Sequence, residues 1–317
     1  MRPNQLFISL LDDPILFTSR LVLSGNGTIY GRLGDLSSTS LITRSLIATT
    51  ASNIISFKAS APYDISLTSD GGITHTSLGP TFSGAIDTVA WNGSIMSICS
   101  STNSWYSSNM TTWTQSATVS NSLSGFHRAC WGPSHSMFVY CCTNGGLGYS
   151  LDNGDYIRFS VAYSIGGSGQ YWNDIIWVPQ WSRYIVVSSV FSYYGSTIRY
   201  STDGINWTLS NNNGSFQTRH NFVAYSPTLN IILAMGRDIS ISTDGGSNWD
   251  TYTNPISNLN TSGISMLRWL DDEEVFLISN SVVGVPNFWT SRDGQTWIYH
   301  SNKPGSTVGG GYSAIYN

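Results

Sequence analysis

The stretch YSTDGINW, residues 200–207, recurs in near-copy along the whole chain, and its spacing restricts the possible fold more than any other feature of the sequence. Each copy carries a Ser or Thr, an Asp or Asn two residues on, then a turn and, in most, an aromatic. The clear copies are Ser201-Thr202-Asp203-Gly204 with Trp207, Ser242-Thr243-Asp244-Gly245 with Trp249, and Ser291-Arg292-Asp293-Gly294 with Trp297. Weaker ones centre on Asp70 and Asp152, and the weakest on Asn26 and Asn109. From Asn26 through Asp70, Asn109, Asp152, Asp203 and Asp244 to Asp293 the steps are 44, 39, 43, 51, 41 and 49 residues. A repeat of that length matches one four-stranded propeller blade.

Each residue type has a turn-forming reason. The Asp or Asn oxygen accepts hydrogen bonds from amides two residues ahead, the hydroxyl adds another, and Gly supplies the positive φ that closes a hairpin. The Trp that follows is the first large apolar residue of the outgoing strand. The motif resembles the Asp-box, or bacterial neuraminidase repeat, of sialidases, sortilin-type receptors and many phage and bacterial propellers. The resemblance implies a β-propeller in which Asn26, Asp70, Asn109, Asp152, Asp203, Asp244, Asp293, Trp207, Trp249 and Trp297 are structural. It implies no particular activity, because the box stabilises a hairpin in those families and takes no part in chemistry.

Composition agrees with an all-β fold. Of the 14 basic residues only 2 are Lys, and of the 18 acidic ones only 2 are Glu, whereas Gly reaches 31 and aromatics 13%. That balance disfavours helices and favours strands. A formal charge of −4 with no Lys/Arg cluster argues against nucleic acid as a partner. No apolar run reaches the roughly 18 residues of a membrane span, so no membrane insertion is expected. The opening MRPNQLFISLLDDP lacks the long apolar region and cleavage site of a signal peptide, so export by the general secretory route is not expected. The Cys residues at 99, 130, 141 and 142 have no CxxC spacing and read as buried free thiols, with Cys130 and Cys141 near each other across adjacent strands.

Along the chain, each unit reads as an inner strand ending in an aromatic, a β-branched second strand, a third strand running into the turn and a fourth leaving it. In the best-defined unit these are 221–225, 230–235, 238–242 and 249–253. Residues 4–33 supply outer strands of a first blade without an inner one. The C-terminal GYSAIYN, 311–317, matches the inner strands 87–92, 128–133, 221–226 and 265–270. It is therefore expected to pair with strands from residues 4–23 and close the ring, removing exposed edges. The expected fold is a seven-bladed β-propeller forming a single domain over 1–317. The alternative is six blades with residues 1–50 as a separate arm, since 33–52 is the least regular stretch.

The chemistry-bearing residues are few. A sialidase would need an arginine triad, a Tyr–Glu nucleophile pair and an Asp acid/base, but the only Glu residues, Glu273 and Glu274, are adjacent in an acidic turn. A general glycosidase needs two carboxyls across a cleft, and the Asp residues not used by turns that could face the opposite end are Asp87 and Asp174. No catalytic residue, metal or cofactor is assigned. Four residues before the inner-strand aromatics stand Asp87, His127, Asn173, Asn221, Ser265 and Tyr312, all polar, while two residues before stand only apolar ones. The polar set is expected at the mouth of the central channel, as a solvated rim or a ligand-holding ring. Loops 162–172, 189–197 and 211–220 gather Tyr163, Tyr171, Trp172, Tyr193, Tyr194 and Phe216 beside Arg219 and His220. Tyr and Trp on loops stack on sugars or anchor protein contacts. The candidate binding set is thus Tyr171, Trp172, Asp174, Tyr193, Tyr194, Arg219 and His127, on the face opposite the turns.

The function expected from these features is a non-enzymatic binding or assembly propeller. Sparse charge, a Ser/Thr/Asn/Gly-rich surface and short-form boxes resemble propellers of phage and other viral structural proteins. This implies a virion component, made in the host cytoplasm, that contacts other structural proteins or surface glycans. A glycoside hydrolase of the Asp-box kind and an intracellular assembly scaffold akin to photosystem assembly factors are the alternatives.

Overall fold

The computed structural model describes residues 5–7, 21–25, 27–31, 43–48, 54–58, 65–68, 76–77, 82, 86–100, 103–118, 125–142, 145–151, 154–160, 171–188, 198–212, 219–256, 264–271, 273–280, 287–300 and 313–315. Among them the chain forms six antiparallel four-stranded blades. The first runs through Thr43–Ala48, Ile54–Lys58, Ile65–Thr68 and Thr76–Ser77, and the second through Ile86–Trp91, Met96–Ser100, Ser104–Ser107 and Thr114–Gln115. The third comprises Phe126–Gly132, Met137–Cys142, Leu147–Ser150 and Tyr156–Ser160, and the fourth Trp172–Val178, Arg183–Ser188, Ile198–Ser201 and Thr208–Leu209. The fifth comprises His220–Ser226, Ile231–Gly236, Asp238–Ser242 and Asn248–Thr253, and the sixth Ile264–Leu270, Val275–Asn280, Asn287–Ser291 and Ile298–His300. The fifth blade matches the strands read from sequence to within a residue or two at each end.

The second strands explain why the blades stack. Met96–Ser100 and Met137–Cys142 are buried at every position, and Arg183–Ser188 at all but its first. A strand whose two faces are both apolar needs cover on both sides. The cover is the neighbouring blade, so the core is a series of interblade seams. Ile98 packs with Ile65 and Phe82, Phe138 with Ala90, Val186 with Met137, Ile185 with Val223, and Leu233 with Leu267.

Two departures from the expected count stand at the beginning of the chain. Leu21–Gly25 and Gly27–Gly31 form a tight hairpin, with Gly25 opposite Gly27, in a three-stranded sheet with Gln5–Phe7. The C-terminal strand does return to the start of the chain, but Ser313–Ile315 pairs in parallel with Thr43–Ala48 and not with residues 4–23. Thr43–Ala48 is itself the inner strand of the first blade. It was missed because Ala48 stands where the other inner strands carry an aromatic. The described residues thus make six complete blades and one three-stranded sheet, not seven complete blades.

Adjacent blades are clasped twice. On one face, the turn between third and fourth strands leans onto the preceding blade: Arg183 of the fourth blade donates through Nη1 to Asp244 O at 3.2 Å, Gly245 O at 3.0 Å and Ser247 Oγ at 2.7 Å of the fifth. At the outer edge, the chain leaving the second blade pairs in parallel with the third, Ala117–Thr118 beside Tyr156–Ile157. The chain leaving the fourth does the same with the fifth, Asn211–Asn212 beside Asn248–Trp249. There Ser210 Oγ donates to Gly246 O at 2.6 Å and Asn211 N to Ser247 O at 2.8 Å.

Gly245 has φ +74°, and a Cβ built there would lie 2.6 Å from Trp181 Cγ of the preceding blade. Gly245→Ala therefore combines left-handed strain with a clash against an aromatic ring, and we expect about 2 to 4 kcal/mol of destabilisation in denaturant unfolding. Deleting residues 313–317 uncovers the hydrogen-bonding edge of Thr43–Ala48. A melting temperature below that of the full chain is expected, and equal melting would show that this pairing contributes nothing.

Candidate functional site at the axial mouth

All six inner strands share one irregularity. Register breaks between Thr43 and Ser45, Ile86 and Thr88, Phe126 and Arg128, Trp172 and Asp174, His220 and Phe222, and Ile264 and Met266. The extra residue of each bulge is Arg44, Asp87, His127, Asn173, Asn221 or Ser265. Five of these are the polar residues that stand four before the inner-strand aromatics. A bulge re-aims a side chain and adds local twist, and its repetition at one level puts a ring of polar positions at the entrance of the inner strands. In an antiparallel meander the first-to-second and third-to-fourth turns share one end, so this entrance lies opposite the Ser-x-Asp turns.

Side chains at this level bond from blade to blade. Thr88 Oγ1 accepts the Ala129 amide at 2.9 Å, and Asp174 Oδ2 accepts the Val223 amide at 3.1 Å, the same contact made by equivalent positions of the second and fourth blades. His127 Nδ1 lies 2.7 Å from Asn173 O, and Arg128 Nη1 donates to Asp87 O at 3.0 Å and to His127 O at 2.8 Å. Asp174 also accepts the Ile175 amide at 3.0 Å. Burial pushes the Asp174 carboxyl above the usual range, and the charges of Arg268 and Arg128 and the two amides offset only part of that shift. Burial in turn lowers the Arg268 guanidinium, which Asp174 partly restores. Arg128 and Arg268 were not singled out from sequence. Arg268 holds a position that is apolar in the second to fifth blades, and Arg128 one shared with Thr88, Asp174, Phe222 and Met266.

The expected binding residues divide accordingly. Tyr171 is 46% exposed and Arg219 is exposed, each directly ahead of the inner strand of adjacent blades, the fourth and fifth. His127 is half-buried in the ring. Trp172 belongs to the strand and not to a loop: it is fully buried in the seam between third and fourth blades, and its Nε1 donates to Gly145 O at 2.9 Å, so it offers no stacking surface. Asp174, 2% exposed, is a strand-to-strand bridge and not a surface contact. Tyr193 and Tyr194 lie outside the described residues, as do Tyr163, Phe216 and Tyr312. Of the four thiols, Cys130 and Cys141 do lie on paired strands, offset diagonally, with Cys130 opposite Val139 and Cys141 opposite Arg128. Burial pushes all four thiols up, which keeps them protonated.

At the other face, the turn residues are consumed by their own hairpins. Gly204 N donates to Ser201 Oγ at 2.8 Å, and Ile205 N and Asn206 N donate to Asp203 Oδ1 at 2.9 and 2.7 Å. Asp244 and Asp293 do the same, as does Asn109 with the amides of Thr111 and Thr112. Partial burial pushes the Asp203 carboxyl up, but the bonds from Asn206, Ile205 and Ser201 outweigh it and hold it below the ordinary range. Trp249 is buried, whereas Trp207 and Trp297 are half-buried. Asn26, Asp70 and Asp152 lie outside the described residues. Among the described residues no cluster of three or more His, Cys, Asp or Glu could hold a metal ion, and no helix is long and apolar enough to cross a membrane.

Stacked four-stranded blades with side-by-side inner strands define a β-propeller. No protein-family model matches the chain, and no curated protein matches it in sequence. Among solved structures it is similar to YCF48 bound to D1 peptide, at 16% identity and TM-score 0.57 over 82% of each chain. It is also similar to YCF48 from Cyanidioschyzon merolae, at 13% identity and TM-score 0.58 over 85% of this chain and 88% of that one. A third similarity is to the extracellular domain of the one component system BT4673 from B. thetaiotaomicron, at 11% identity and TM-score 0.60 over 94% of this chain and 42% of the other. At these identities the likeness is one of fold.

His220, the first residue of the fifth blade's inner strand and next to the Asn221 bulge, is fully buried with Nε2 2.9 Å from Ser240 Oγ, and burial drives its pKa down to about 3. A depressed histidine contributes stability that is present above its unfolded pKa of about 6.5 and is lost as pH falls toward the folded value. The turn carboxylates titrate only below roughly pH 4. Asp174, raised in the folded state, works in the opposite sense in both proteins, so the readable quantity is the difference: as pH falls between those limits, the parent protein should lose more melting temperature than His220→Gln. Asp174→Ala, which leaves two amides and nearby guanidinium charge without their carboxylate, should cost about 3 to 5 kcal/mol in denaturant unfolding.

Proposed function

We propose that the protein is a non-enzymatic binding propeller whose partner is a protein segment held on the face opposite the Ser-x-Asp turns. The observation that carries this reading is the pairing of inner strands hydrogen-bonded from blade to blade with two exposed side chains. Bulged inner strands, tied to one another by Thr88, Arg128 and Asp174, fix the mouth, and Tyr171 and Arg219 stand exposed beside it. An aromatic and a forked donor are the side-chain types that dominate protein contacts. The turn face offers less, since its Asp and Ser oxygens already serve their own amides. The similar propeller YCF48 bound to D1 peptide supports a peptide-like partner. A paired-carboxyl hydrolase is disfavoured by Asp174, whose two oxygens each accept a backbone amide inside the seam.

The turns are read as Asp-boxes on the strength of their Ser and Asp hydrogen bonds, the whole chain as one domain, and the three-stranded N-terminal sheet as part of a seventh blade. The sparse charge and the Ser/Thr/Asn/Gly-rich composition support a virion component as the setting, with other structural proteins or surface glycans as what it meets.

The test is binding of the purified protein, and of a Tyr171→Ala, Arg219→Ala double variant, to an extended-peptide library and a glycan array. Peptides that bind the parent should bind the double variant at least about tenfold more weakly, with the melting temperature unchanged. Equal binding by both proteins would move the site off this face, and binding to glycans alone would replace the partner class.

A further inference from the structure

On the turn face, the third and fourth blades meet in a cluster of four rings. His135 comes from the turn after the inner strand of the third blade, Trp177 from the end of the inner strand of the fourth, Tyr184 from the strand beside it and Trp207 from beyond the Asp203 turn. Ring centroids lie 5.5 Å apart for His135 and Trp177, 5.9 Å for His135 and Tyr184, 4.7 Å for Trp177 and Tyr184, and 6.5 Å for Tyr184 and Trp207. Every ring carries a polar atom that is shut off from solvent and meets no hydrogen-bonding group among the described residues: His135 Nδ1, Trp177 Nε1, Tyr184 Oη and Trp207 Nε1. Tyr184 is fully buried and its hydroxyl presses on the bare Gly132, where a Cβ would fall 1.8 Å from Oη.

Trp207 departs from two of its equivalents. Trp113 Nε1 donates to Met110 O at 3.1 Å and Trp249 Nε1 to Gly246 O at 2.9 Å, each within its own turn. Buried donors left unpaired are costly, and several together would take a large share of a domain's net stability. The occupant must accept from two indole N–H groups, which can only donate, while Tyr184 Oη and His135 Nδ1 can accept. Charge then decides its class. Burial is the main cause that pushes the Tyr184 hydroxyl up, and the Asp203 carboxylate adds to it, so a negative charge already stands near the site and opposes an anion. A cation would face two N–H groups.

We propose that this cluster encloses an internal water, which accepts from Trp177 and Trp207 and donates to Tyr184 Oη and His135 Nδ1. Four partners stand at the upper end of the roughly two to four that a buried water makes. The sixth blade repeats the indole pair with two partners fewer, since Leu229 holds the place of His135 in the turn of the preceding blade. Trp269 Nε1 and Trp297 Nε1 are likewise enclosed without a protein partner, but Phe276, 4.8 Å from Trp269, stands where the fourth blade has Tyr184.

A high-resolution crystal structure of the full chain, from crystals grown in bromide, tests this directly. The expected result is a water peak about 2.7 to 3.2 Å from both Trp177 Nε1 and Trp207 Nε1, with no anomalous signal at it. An anomalous bromide peak there, or a dry cluster, would overturn the proposal. Tyr184→Phe gives an independent reading, because removing a partner of a bound water should lower the melting temperature by about 2 °C or more. A melting temperature unchanged or raised is what deletion of an idle hydroxyl produces, and would count against the water.

Discussion

A strand that is apolar on both faces can be buried only between two neighbours, and this requirement organises the molecule. Met137–Cys142, Arg183–Ser188 and Ile231–Gly236 have such faces, so no single blade satisfies itself and the core is distributed among the seams. The Ser-x-Asp turn then has a second task beyond closing its hairpin. By using its own hydroxyl and carboxylate for its own amides it becomes a compact knob, and that knob seats on the preceding blade, as the Arg183 contacts with Asp244, Gly245 and Ser247 make plain.

This division of labour separates the two ends of the ring. At the turn end, polar groups are spent on hairpins and clasps. At the other end, inner strands enter through bulges, and the side chains just inside are spent on joining blades. Asp174 shows how the two uses compete: a carboxylate that accepts the Ile175 and Val223 amides holds two strands in register and is withdrawn from solvent. What remains available is the outermost layer, where Tyr171 and Arg219 precede the strands and belong to neither network.

The repeat was legible because turn chemistry is local. The hydroxyl, carboxylate and glycine of Ser201, Asp203 and Gly204 act within four residues, so spacing alone located the blades and the fifth blade's strands to within a residue or two. The polar ring was legible for a similar reason, since the bulge recurs at one distance from the inner-strand aromatic. Features set by distant partners were not. Thr43–Ala48 went unrecognised because it lacks that aromatic, and its pairing with Ser313–Ile315 depends on closure across almost the whole chain. Trp172 was read as a loop residue because the Gly- and Ser-rich stretch before it has no strand pattern, yet burial against the third blade makes it the first residue of a strand. Alternation along one strand does not reveal that Asp174 and Arg268 share a buried centre, since they come from blades separated by a third.

The central claim is that binding belongs to the mouth opposite the turns, and hydrogen–deuterium exchange of the protein with and without a peptide ligand tests it most directly. Backbone amides at 171–175 and 219–223 should exchange more slowly in the complex, while those at 203–206 and 244–248, already held by Asp203 and Asp244, should be unchanged. Ligand-induced protection confined to the turn segments, with none at the inner-strand entrances, would contradict it.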